Sequence, residues 1–111
     1  MARTSIFSNI DIPQGVMEIV RAVCADYWRR AREIKDKTKS EEILECYIDL
    51  NDKIDRGLAD VEQVVRQDFL ADIVNHRGWS TSRASIYGTK KWYYKRKKHV
   101  IVMIAKNLHL I

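Results

Sequence analysis

Gly88-Thr89-Lys90-Lys91-Trp92-Tyr93-Tyr94-Lys95-Arg96-Lys97-Lys98-His99-Val100-Ile101-Val102-Met103-Ile104-Ala105-Lys106 crowds cations and aromatics into the first half of a helical pattern and apolar residues into the second. Gly88 can close whatever precedes it, because glycine tolerates positive φ. Thr89 is placed to cap the helix that follows, its hydroxyl accepting from a free backbone N–H. Lys91, Lys95 and Lys98 recur at i, i+4 and i+7 along one side. Tyr93, Lys97, Val100, Ile104 and Leu108 share another side, which is assigned inward with the Lys97 stem lying along apolar surface and its ammonium reaching out. Val100-Ile101-Val102 is β-branched, but the flanking pattern is helical and no partner strand is visible, so a helix to about Leu108 is expected.

Everything upstream reads as support for this segment. The chain has 111 residues, one proline and four glycines, which suits a single all-α domain and argues against an all-β fold. Residues 1–10 show no period and read as a loose arm, with Ile6, Phe7 and Ile10 able to dock. A first helix is expected from Asp11 to about Lys35, with Asp11 as cap, Pro13 in the first turn and Val16, Ile19, Val20, Val23, Tyr27, Ala31 and Ile34 on one stripe. That stripe faces either the core or a dimer seam. Thr38-Lys39-Ser40-Glu41 matches a capping box and opens a second helix to about Arg56. Its inward set is Ile43, Cys46, Tyr47, Leu50 and Ile54, and its other face is acidic. Gly57 is read as a break. A third helix follows from about Leu58 to His76, with Val61, Val64, Val65, Phe69, Leu70, Ile73 and Val74 as its apolar set and Gly78 as the stop. Residues 79–87 read either as a short capped helix with Ile86 inward or as an ordered loop. The domain therefore divides into the arm, an N-terminal helical pair over 11–57 and a helix-turn-helix-like region over 58–111, four to five helices in all.

Charge is unevenly shared along the chain. Residues 1–72 carry all 15 Asp and Glu with 11 of the 20 Lys and Arg, and residues 73–111 carry the other 9 cations and no acid. An acid-free stretch of this length points to a polyanionic partner. Cys24 and Cys46 lie in apolar helical patterns and are expected to be buried, reduced thiols, since no Cys/His spacing suggests zinc. The N-terminus lacks an apolar signal core and the run Val100–Ala105 is too short for a bilayer, so a cytoplasmic location is expected. Paired carboxylates, nucleophile–histidine spacing and phosphate loops are all missing, so neither an enzyme nor a bound cofactor or metal is expected.

A short helix, a glycine turn and a second capped helix make a helix-turn-helix, whose second helix enters the major groove by its N-terminal part. Thr89, Lys90 and Lys91 are nearest that end and best placed for base edges, with Trp92 and Tyr94 at the same end, either packed or presented. Lys95, Arg96 and Lys98 suit phosphates, and Arg83 is the candidate from the preceding element, which crosses the backbone. A basic amphipathic helix can also lie on an anionic membrane. Here cations and apolar residues separate along the helix length, which fits a groove better than a bilayer.

Asp68-Phe69-Leu70, then Ile86-Tyr87-Gly88-Thr89-Lys90-Lys91-Trp92-Tyr93-Tyr94-Lys95-Arg96-Lys97, then Ile104-Ala105-Lys106-Asn107-Leu108 resembles the ArpU/RinA type of phage and prophage transcriptional regulators. Those proteins end in a helix-turn-helix similar to the last DNA-binding domain of bacterial sigma factors. The resemblance implies activation of late phage or prophage genes and no enzymatic activity. It departs at Ser80-Thr81-Ser82-Arg83-Ala84-Ser85, where the family has a more apolar first helix. Expected partners are double-stranded DNA, RNA polymerase and a second copy through the first helix. The competing expectation is a structural or adaptor protein that grips a protein or anionic surface with the basic helix.

Overall fold

The computed structural model describes residues 11–111, and the reading of residues 1–10 lies outside them. Five α-helices carry the fold: α1 (Gln14–Ala25), α2 (Tyr27–Asp36), α3 (Glu41–Leu58), α4 (Arg66–Val74) and α5 (Lys90–Asn107). No strand occurs among the described residues, so Val100-Ile101-Val102 is helical as expected.

The single first helix is in fact two. Pro13, not Asp11, occupies the cap position, and its carbonyl accepts from Met17 N at 3.0 Å. The helix then breaks at Asp26 (φ −95°, ψ 3°), whose carboxylate draws in the guanidinium of Arg29, with Arg30 at 3.6 Å. The break turns Arg30 inward, although it lies off the apolar stripe. Arg30 is 3 % exposed and donates to Asn51 Oδ1 at 2.7 Å and to the Val23 carbonyl at 2.5 Å. Asn51 in turn donates to the Tyr27 carbonyl at 3.2 Å. A buried guanidinium survives only when its donors are met, and here they tie α1, α2 and α3 together.

Lys37 in the left-handed conformation (φ 52°) ends α2, and Ser40 rather than Thr38 caps α3. The Ser40 hydroxyl accepts from Ile43 N at 3.4 Å, with Glu41 and Glu42 in the favourable first turn. Tyr27 donates to Asp55 at 2.7 Å and Arg29 lies over the Tyr47 ring, which sets α2 antiparallel to α3. Ile43 and Cys46, expected inward, are exposed, because the α3 face that meets the body starts only at Asn51.

Gly57 does not break α3, which continues to Leu58. It is the point where α3 crosses α5: a Cβ there would lie 2.5 Å from Ile104 Cγ1 and 3.3 Å from the Ile104 backbone nitrogen. The expected Leu58–His76 helix is interrupted by residues 59–62 and a 3-10 turn over Gln63–Val65, with α4 following. Arg66 holds the interruption by donating to the Val61 carbonyl at 2.8 Å and the Ala59 carbonyl at 2.9 Å. The interruption leaves Val61 and Val65 buried but turns Val64 to solvent. Two helix ends that glycine commonly forms are made by histidine. His76 (φ 55°) follows α4, with Arg77 N donating to the Asp72 carbonyl at 2.9 Å, and His109 (φ 60°) follows α5, with Leu110 N donating to the Ala105 carbonyl at 2.8 Å.

The core joins Val20 and Cys24 of α1, Ile54 and Leu58 of α3, Phe69, Leu70 and Ile73 of α4, and Tyr93, Val100, Ile101, Ile104 and Ala105 of α5. Burial pushes the Cys24 thiol up to about 12, against the opposing pull of Arg30.

Gly57→Ala should destabilise the fold by about 1–3 kcal/mol in urea titration, because overpacking against a branched carbon near the α5 backbone outweighs the ~1 kcal/mol gain in helix propensity. A thiol reagent at pH 8 should modify Cys46 in the native chain and Cys24 only after denaturation. The Cys24 pKa rises from 9.0 unfolded to about 12 folded, so its stabilising contribution is full below pH 9 and is lost as pH climbs to 12.

Candidate nucleic-acid interface

The first half of α5 is fixed from below by a buried carboxylate. Asp72 of α4 is 1 % exposed. Its Oδ2 accepts from the Tyr93 hydroxyl at 2.8 Å and from the Ser82 hydroxyl. Ser82 also accepts from Ala84 N at 3.0 Å and so starts a 3-10 turn over Arg83–Tyr87. A second 3-10 turn spans Trp79–Thr81. Residues 79–87 are therefore two 3-10 turns and not a regular α-helix, and Ile86, read as inward if helical, is 79 % exposed. The Ser/Thr-rich sequence explains this: its hydroxyls bond to nearby backbone and to Asp72 instead of supplying an apolar face. Burial and the Asp72 hydrogen bond hold the Tyr93 phenol well above the usual tyrosine range.

Thr89 caps α5 as expected, its hydroxyl accepting from Trp92 N at 3.1 Å. Gly88 has extended backbone (φ −174°), so positive φ is not what it supplies. A Cβ there would lie 2.5 Å from the Trp92 ring, so the glycine lets the indole lie flat against the chain. Trp92 is thereby half-buried, edge-on to Phe69 with centroids 5.8 Å apart, and belongs to the α4–α5 packing rather than to a presented face. Tyr94 is in between: its ring is 44 % exposed, while its hydroxyl accepts from Trp79 N at 3.2 Å.

The assigned inward face holds. Tyr93, Val100 and Ile104 are buried, and the Lys97 ammonium sits 5.8 Å over the Tyr93 ring and donates to the Arg77 carbonyl at 2.6 Å. Burial holds the Lys97 pKa below the usual lysine value, with Asp72 opposing.

The cations divide by face. Lys90 and Lys91 are exposed beside the capped end, and Lys95 lies one turn beyond Lys91. No described carboxylate pairs with any of the three. Lys95 is pulled below the usual lysine value by desolvation and by Lys91. Arg83 is exposed at the start of its 3-10 turn. Arg96 departs from the expected set: it turns toward Glu62, 3.6 Å away, on another side of α5. Lys98 is half-buried and lines a shallow groove with Ile12, Met17 and Ile101, away from the helix's leading turn.

Two participants escaped the sequence reading. Asp72 shares the α4 face of Phe69 and Ile73, a spacing that marks it as buried. Arg77 is exposed on the turn that Lys97 holds, and nothing in its flanking residues signals this. Among the described residues no group of three or more His, Cys, Asp and Glu is placed to hold a metal. No helix among them is long and apolar enough to cross a membrane. No protein-family model, curated protein or solved structure matches the chain.

Tyr93→Phe should cost about 1–3 kcal/mol in urea denaturation, because it removes a donor from a buried carboxylate. Its far-UV CD spectrum should stay that of the parent, since the ring packing on Phe69 is kept.

Proposed function

We propose that this chain is a double-stranded-DNA-binding transcriptional regulator that reads the major groove with α5. The observation that supports this is the unpaired trio Lys90, Lys91 and Lys95 on the leading turns of a helix without a single acid. Lys90 and Lys91, with the backbone beside the Thr89 cap, meet base edges. Lys95 and Arg83 meet phosphates, which supply affinity and orientation. The Asp72 cluster holds the helix while its C-terminal half stays locked in the core. The presenting unit differs from a regular helix-turn-helix in having 3-10 turns ahead of the reading helix. Assignment to the ArpU/RinA type, a phage or prophage origin, contact with RNA polymerase and a cytoplasmic site of action belong to the same proposal.

Binding to duplex DNA flanking the chain's own gene should weaken steeply between two salt concentrations, because each phosphate contact releases counterions. Lys91→Glu with Lys95→Glu should reduce that affinity at least about tenfold and leave the far-UV CD spectrum unchanged, since neither ammonium pairs with a carboxylate of the described chain. Equal affinity of the double variant and the parent in a gel shift would remove the proposal's basis.

A further inference from the structure

At the other end of the molecule α2 and α3 leave a groove that the described chain does not fill. Arg30 is the only buried residue of α2, and α3 buries nothing before Asn51. Ala31 and Ile34 of α2 and Leu44 and Ile48 of α3 line two adjoining hollows that share Ile34 and Ile48, and Ile48 is 51 % exposed. A two-helix layer cannot enclose its own apolar face, so a further layer is the physical completion.

The rim states what that layer carries. Glu41 and Glu45 edge the groove near its tip, and Asp52 and Asp55 edge it near the body. Lys37 and Lys39 line only the tip, where Lys39 is 3.8 Å from Glu33. At the body end no cation lines the groove; Asp52 pairs with Arg56 at 2.9 Å and Asp55 accepts from Tyr27. A second copy fits poorly. Packing α3 against itself antiparallel about Ile48 sets Glu41 opposite Asp55, and packing it parallel sets each carboxylate opposite its own mate. The tip's Lys37 and Lys39 relieve only part of this, because carboxylates outnumber lysines four to two on each rim and either pairing sets a net-negative rim against its like. The same carboxylates repel duplex DNA and anionic lipid.

We propose that the α2–α3 groove receives a basic amphipathic helix of a partner protein. Its apolar anchors at i, i+3 or i+4, and i+7 enter the floor formed by Ala31, Ile34, Leu44 and Ile48. Its cations lie along Glu45, Asp52 and Asp55. The stretch 41–55 of α3 is about 21 Å long, which matches a helix of about 14 residues.

The test uses the full isotope-labelled chain and two synthetic 14-residue helical peptides, both with leucine at the anchor positions. One carries lysine at every other position, the other glutamate. The lysine peptide should shift amide resonances of α2 and the first half of α3. The glutamate peptide should shift none of them. Ile48→Lys should weaken the lysine peptide at least tenfold. Ile43→Lys, on an exposed position outside the groove, should leave its affinity unchanged. The proposal is overturned by no binding of either peptide, by equal binding of both, by shifts confined to another surface, or by an unaffected Ile48→Lys. Self-association of the chain that Ile48→Lys abolishes would assign the groove to a second copy and overturn it equally.

Discussion

A carboxylate with almost no access to water sets the geometry of the C-terminal third. Burying an ionised group is costly unless its lone pairs are met and a compensating charge lies near. Asp72 meets both conditions: Ser82 and Tyr93 donate to it, and Lys97 lies within its field. Those partners sit on two further pieces of chain, so satisfying one side chain of α4 ties that helix to the irregular residues 79–87 and to α5. Losing a donor leaves a buried acceptor short, which is why the irregular segment holds one course without an α-helix of its own. The glycines beside it complete the fit. At Gly88 the Trp92 ring, and at Gly78 the Tyr94 hydroxyl, occupy the space a Cβ would take.

Charge follows the same division. The acid-free end sits on a rigid platform, and its leading lysines find no partner within the described chain. Keeping like charges together costs self-repulsion, and Lys91 adds to the desolvation that depresses Lys95. The platform makes that cost tolerable, since α5 buries Tyr93, Val100 and Ile104 beneath the cations. The carboxylates instead gather on α3, whose exposed first half bears Glu41, Glu42, Glu45 and Asp49. The leading turns of α5 are thus cationic and the first half of α3 is acidic.

Local signals were enough for α5. Its cap and its inward face follow from spacing, because a hydroxyl before a helix and a 3.6-residue period act within a few residues; the Lys97 ammonium, expected to reach out, instead turns back to the Arg77 carbonyl. The all-α class followed as well, from the scarcity of proline and glycine. What spacing missed depends on contacts distant in sequence. Asp26 breaks a stripe that reads as continuous, because Arg30 gains partners on α1 and α3 only if the chain bends there. Gly57 looks like a terminator and is instead the clearance for Ile104, a residue far along the chain. Cys46 and Ile43 sit on an apolar-looking period, but the body of the protein does not reach that far along α3. At the interface, the leading lysines were legible as a run, whereas the withdrawal of Trp92 and Arg96 needed Phe69, Gly88 and Glu62 in place.

The most direct measurement of the Asp72 account is amide hydrogen exchange in the parent chain and in Asp72→Ala. Exchange reports local opening segment by segment. Protection in the first two turns of α5 and in residues 79–87 should fall at least about tenfold, while amides around the Gly57–Ile104 crossing keep theirs. Unchanged protection over residues 79–97, or an equal loss at every site, would contradict the claim that this carboxylate fixes the first half of α5.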